Sequence, residues 1–191
     1  MKIDKKLNLV SNITRDDGSI VYLHVTPFPY EVVEEHCLLL GNLFTQFISQ
    51  VGGLGSVRVA AMMLRKKLQQ ERAAGNAAGP SIVDEIQRLT AVIYNENGQW
   101  KSVPYDSALK QGVITPDEYR EVEGEVVFFI VSSAIQKRDL IAPTVGAVIG
   151  MFGGQLTVLS VTEFRDSLPK SNQDTDTTIL DARLETSYIP S

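Results

Sequence analysis

The chain has 191 residues, 43% of them hydrophobic and 21% charged, a length that suits one domain, or one domain plus a tail, with a real core and excludes wholesale disorder. Eighteen Lys+Arg against 23 Asp+Glu give a net charge of −5, which makes a poor holder of a phosphate backbone. One cysteine, Cys37, excludes an intramolecular disulfide framework and fits a reducing compartment. The opening residues Met1 to Lys6 are charged and lead into no apolar h-region, so no secretory signal is expected.

In chain order, the first signal is a hairpin. Leu7–Thr14 and Ile20–Thr26 are rich in β-branched and apolar residues, and Asp17-Gly18 between them tolerates the positive φ of a tight turn. Pro27 and Pro29 end the second strand and pre-set φ for a helix starting near Tyr30. Val33, Cys37, Leu40, Phe44, Phe47 and Val51 then recur at gaps of three and four, one helical face widened by Leu39, Leu43 and Ile48.

Gly52-Gly53-Leu54-Gly55 breaks that helix, and Ser56 can cap a second one running to about Gln70. Its inward positions are Val57, Ala60, Ala61, Leu64 and Leu68. Its outer side is basic: Arg58, Arg65, Lys66, Lys67 and Arg72 against Glu71 leave +4. Beyond a small-residue loop, Ser81 with Asp84 makes a capping-box start, continued by Ile82, Ile86, Leu89 and Ile93. Asn97-Gly98 is a strong turn signal, so a short second hairpin or an extended excursion is expected there.

Thr115-Pro116-Asp117-Glu118 opens the clearest helix, with an N-cap, proline at its first turn and acids at its positive end. Tyr119, Val122, Val126, Phe129 and Ile130 follow at helical spacing. Residues 115–126 carry five acids and Arg120, a net of −4, which suits the basic second helix as a neighbour; a solvated charged face is the commoner outcome. Leu140 to Val161 then holds no charge across 22 positions. That length could cross a bilayer, and Gly146, Gly150 and Gly154 sit at GxxxG spacing. Pro143, four glycines and Gln155 dilute it, however, and Gly153-Gly154 favours two shorter buried helices over a span. Residues after Lys170 are polar and read as a tail, with Ile179-Leu180 as a short docking element.

The expected fold is α+β, mostly α: a β-hairpin over 7–26, about five to six helices over 30–168 within one domain spanning 1–168, and a flexible tail at 169–191.

Each chemical candidate has a plainer reading. His36-Cys37 could be metal ligands or a base and a thiol, but adjacent helical positions point apart and no second pair completes a tetrahedral set. Gly52 to Ser56 lacks the lysine and preceding strand of a phosphate-binding loop. Glu118, Glu121 and Glu125 share a helix face with no histidine nearby in sequence, and Ser132-Ser133 lacks nucleophile-elbow glycines. No enzyme, cofactor or metal is expected. An adaptor or assembly factor fits better.

Leu7-Asn8-Leu9-Val10, Val21 to Pro27 and Val57 to Leu64, followed by Glu85 to Thr90, Val127 to Val131 and Thr162 to Pro169, resemble, in the same order, the tail assembly chaperones of long-tailed, siphovirus-type bacteriophages. The resemblance covers about residues 7–169 and carries no catalytic residue. It implies a protein in the cytoplasm of the infected host that binds the tape measure protein, keeps it soluble and brings tail tube subunits to it, with self-association open. In many phages a ribosomal frameshift also yields a longer product. Helix-in-groove binding would cover the tape measure's apolar surface. Leu39, Leu43, Phe47, Phe128 and Ile130 are the candidate groove positions, and the same five residues could equally be core. A virion subunit of the tail or connector, and a small membrane protein using 140–161, are the other readings.

Overall fold

The computed structural model describes residues 1–49, 56–75, 80–151 and 153–169. The chain opens with β1 (Lys2–Asp4), β2 (Leu9–Thr14) and β3 (Ile20–Val25), followed by α1 (Tyr30–Glu35), α2 (Cys37–Ser49), α3 (Ser56–Ala73) and α4 (Ile82–Arg88). Next come β4 (Thr90–Glu96), β5 (Gln99–Pro104), α5 (Tyr105–Lys110) and α6 (Pro116–Ile135). The described part ends with α7 (Arg138–Met151), β6 (Thr157–Leu159) and α8 (Val161–Asp166).

The expected hairpin exists as β2 and β3, but it is the middle of a six-stranded sheet of order β5-β4-β3-β2-β1-β6. This corrects the expectation of a hairpin followed by five to six helices: the hairpin belongs to a larger sheet, and the described residues form eight helices. A two-stranded ribbon is marginal in water because its backbone edges and one apolar face stay wet. Here β4 pairs with the free edge of β3, Leu23 opposite Val92, and β1 pairs with that of β2, Lys2 opposite Val10. All these pairs are antiparallel; β6 closes the far edge parallel to β1, with Ile3 opposite Val158. The second turn signal is also a hairpin of this sheet. Asn97 and Gly98 take φ of 52° and 84° between β4 and β5, which only turn residues adopt cheaply.

One sheet face is apolar. Leu9, Val25, Leu23, Val21 and Val92 are buried there, and α6 packs across it through β2. On the opposite side α6 meets α2 and α3. Enclosed by both layers, α6 is buried without interruption from Val126 to Ser132, as expected of a helix that is apolar all round. Its start is built as the sequence suggests: the Thr115 hydroxyl accepts from the Glu118 N–H while the Glu118 carboxylate accepts from the Thr115 N–H. Ser81–Asp84 caps α4 and Ser160–Glu163 caps α8 in the same reciprocal way.

Three further expectations change. The helical face begun at Ser81 stops at Arg88, and Ile93 lies in β4. The helix beginning at Tyr30 is interrupted at His36, and the buried face of its second half is Leu39, Leu40, Leu43 and Phe47, with Cys37 exposed. The uncharged stretch 140–161 is not a pair of buried helices. The chain leaves α7 through Gly153, at φ 78°, and continues as the edge strand β6. The 14 residues of α7 span only about 21 Å, short of a hydrocarbon core of about 30 Å. Among the described residues no helix is long and apolar enough to cross a membrane. The Gly52–Gly55 break and the tail with Ile179-Leu180 lie outside the described residues.

Candidate protein-interaction surface

The five candidate groove residues are core side chains. Leu43, Phe47, Phe128 and Ile130 are fully buried and Leu39 is 5% exposed. Phe47 and Phe128 meet ring to ring, centroids 5.7 Å apart, where α2 crosses α6. Of the two readings open for these positions, groove or core, their burial fits the core, and a partner would have to open the layer between α2 and α6 to reach Phe47 or Phe128.

The polar candidates are structural as well. Glu118 accepts from Arg15 Nε at 2.5 Å, and that guanidinium also donates to the Val113 carbonyl, tying the first hairpin turn to the start of α6. This bond holds Glu118 below the usual carboxylate range, against the opposing effect of burial. Glu121 is exposed, and Glu125 is half-buried and raised by desolvation, so the acids expected on one face do separate jobs. Among the described residues, the charge pair joining α3 and α6 is Arg65–Glu123: both oxygens of buried Glu123 accept from Arg65 Nη1 at 2.6 Å. Beside it the rings of Tyr105 and Tyr119 lie 4.6 Å apart. Burial, then the Glu123 charge, pushes Tyr105 up to about 12 and Tyr119 higher still. Both phenols stay protonated and act as packing groups.

His36 sits at the α1–α2 junction. His24 faces Phe164 of α8 at 6.0 Å, and burial lowers its pKa against an opposing pull from Asp4. The Ser133 hydroxyl donates to the Ile130 carbonyl of its own helix, while Ser132 is buried. Among the described residues no group of three or more His, Cys, Asp or Glu could hold a metal ion.

Among the apolar surfaces that the fold leaves uncovered is the outer face of α7. Ile141, Val145, Val148 and Ile149 point inward. Half a turn away, Leu140, Pro143, Ala147, Gly150 and Met151 form an exposed stripe, with Leu140 50% and Met151 61% accessible. No charge lies along it after Asp139 at the helix start. A Cβ placed on Gly150 would meet nothing within 4 Å, so this is open space, where another backbone can come close. Such a run of wet apolar surface with small residues at its centre suits a partner helix laid alongside. The sequence hid it because the same uncharged run supplies both the buried and the bare face of α7. No protein family, curated protein or solved structure matches this chain.

Proposed function

We propose that this chain is a tail assembly chaperone: it binds the tape measure protein of a long-tailed bacteriophage, keeps it soluble before assembly, and helps recruit tail tube subunits. The observation that carries the reading is the bare apolar face of α7, from Leu140 to Met151. An unassembled tape measure exposes long apolar helical surface that aggregates unless a partner covers it. An uncharged helical face offers that cover without a cofactor or any chemical step. The ordered resemblance of residues 7–169 to tail assembly chaperones supports the same role.

Co-expression with the neighbouring tape measure gene tests it. The tape measure product is expected to move into the soluble fraction and to co-elute with several copies of this chain. A tape measure that stays insoluble beside a soluble chain would overturn the proposal. Recovery of the chain in purified particles at fixed copy number would instead make it a tail or connector subunit.

A further inference from the structure

A second feature lies on a different part of the surface, at the sheet edge where β1 and β6 meet the first turn of α7. Ile3, Leu7, Ala142 and Val158 make the apolar floor of a half-open groove of about 260 Å³ that Asp4 also lines, and Lys5 and Arg138 stand on its rim. The turn that presents Lys5 is built by Asp4. Its buried carboxylate accepts from the backbone N–H groups of Lys6 and Asn8, both at 2.8 Å, and from the Asn8 amide. That network holds Leu7 at φ 68°, a left-handed conformation that a non-glycine residue keeps only where the surroundings demand it. The result is that Leu7 turns into the groove while Lys5 and Lys6 are held in solvent.

The corner is basic in an acidic protein. Lys5, Lys6, Lys137 and Arg138 are all exposed there, against exposed Asp139. Neither rim cation is in an ion pair among the described residues; the Glu163 carboxylate of α8 feels Lys5 at longer range. An apolar floor under two free cations selects a segment with apolar side chains between acids.

The chain carries that pattern itself. Residues 171–181 read Ser-Asn-Gln-Asp-Thr-Asp-Thr-Thr-Ile-Leu-Asp, three acids and no cation, with Ile179-Leu180 flanked by Asp176 and Asp181. The attachment point is close: α8, the last described helix, packs against β1 and β6, the strands that build the groove. Seven residues from Lys170 to Asp176 can reach about 24 Å when extended. Covalent tethering at that range supplies an effective concentration on the order of millimolar.

We propose that the segment Asp174–Asp181 docks in this groove, with Ile179 and Leu180 on the floor of Ile3, Leu7, Ala142 and Val158 and with Asp176 and Asp181 facing Lys5 and Arg138. The docking is intramolecular and independent of the α7 stripe, so it stands or falls apart from the chaperone reading.

Site-directed spin labelling of the full chain tests it. In a Cys37→Ser background, Thr178→Cys carries a nitroxide, and amide signals are compared before and after ascorbate reduction. Lys5, Leu7, Arg138 and Ala142 are expected to lose their signals while the nitroxide is oxidised, and Lys101 on the opposite sheet edge is expected to keep its own. Lys5→Glu with Arg138→Glu should restore the groove signals, and adding Asp176→Lys with Asp181→Lys should remove them again. Groove signals that survive the oxidised label, or a loss indifferent to the charge reversals, would overturn the proposal. So would a loss reproduced when labelled and isotope-enriched chains are separate molecules, since the occupant would then be a second copy.

Discussion

If Phe128 is core and not groove, Phe128→Ala must cost what an emptied ring site costs. The side chain is fully buried at the crossing of α6 and α2, against Phe47. Removing six ring carbons forfeits about 2–3 kcal/mol of transfer free energy, and a residual cavity adds about 24 cal/mol for each Å³ the surroundings fail to fill, so about 3–5 kcal/mol is expected. At about 2–4 °C per kcal/mol for a domain of this size, the melting temperature should fall by about 6–20 °C. Urea unfolding followed by circular dichroism gives the free energy directly, with the midpoint lowered and the slope unchanged. Phe47→Ala should behave alike. The double variant should lose less than the sum, by about 0.5–1.5 kcal/mol, because the ring pair can be broken only once. A melt within about 1 °C of wild type, or additivity within about 0.3 kcal/mol, would refute the layered core.

Three further outcomes follow from single contacts. Arg65→Met leaves the buried Glu123 carboxylate without its cation; because Arg65 is itself 45% accessible, the loss should be about 1–3 kcal/mol, below that of a fully buried pair, and Glu123→Met in the same chain should recover most of it. Burial holds His24 below the usual imidazole range, so between that lowered value and about pH 6.5 the unfolded chain binds more protons than the folded one. Stability should then be complete above pH 6.5 and fall as pH drops through that window, and His24→Phe, which keeps the packing on Phe164, should flatten the slope in urea titrations. Ser81→Ala and Thr115→Ala each remove half of a reciprocal cap and should each cost about 0.5–2 kcal/mol by the same assay.

Local signals in the sequence were legible where one or two residues decide the geometry. Asp17-Gly18 and Asn97-Gly98 both make the turns expected of them, and the Ser81 and Thr115 helix starts are where the capping pattern puts them. Strand partnership was not legible, because nothing in Ile20–Val25 or Thr90–Glu96 alone says that Leu23 will lie opposite Val92. The three-residue strands β1 and β6 are too short to show a period. Helix phase failed for a different reason. Leu38-Leu39-Leu40, Leu43-Phe44 and Phe47-Ile48 offer two apolar faces about 100° apart, and only packing on α6 decides that Leu39, Leu43 and Phe47 turn inward while Leu38 stays 81% exposed. The candidate surface on α7 was obscured in the same way: an uncharged run does not say which of its sides is wet.

The most direct test of the account replaces the two large exposed residues of that surface. Leu140→Asp with Met151→Asp, on positions 50% and 61% accessible, should leave the unfolding free energy from urea titration within about 0.5 kcal/mol of wild type. In co-expression the same variant should no longer bring the tape measure product into solution. Undiminished capture of a soluble tape measure by a chain that folds normally would contradict the assignment of α7 as the binding face.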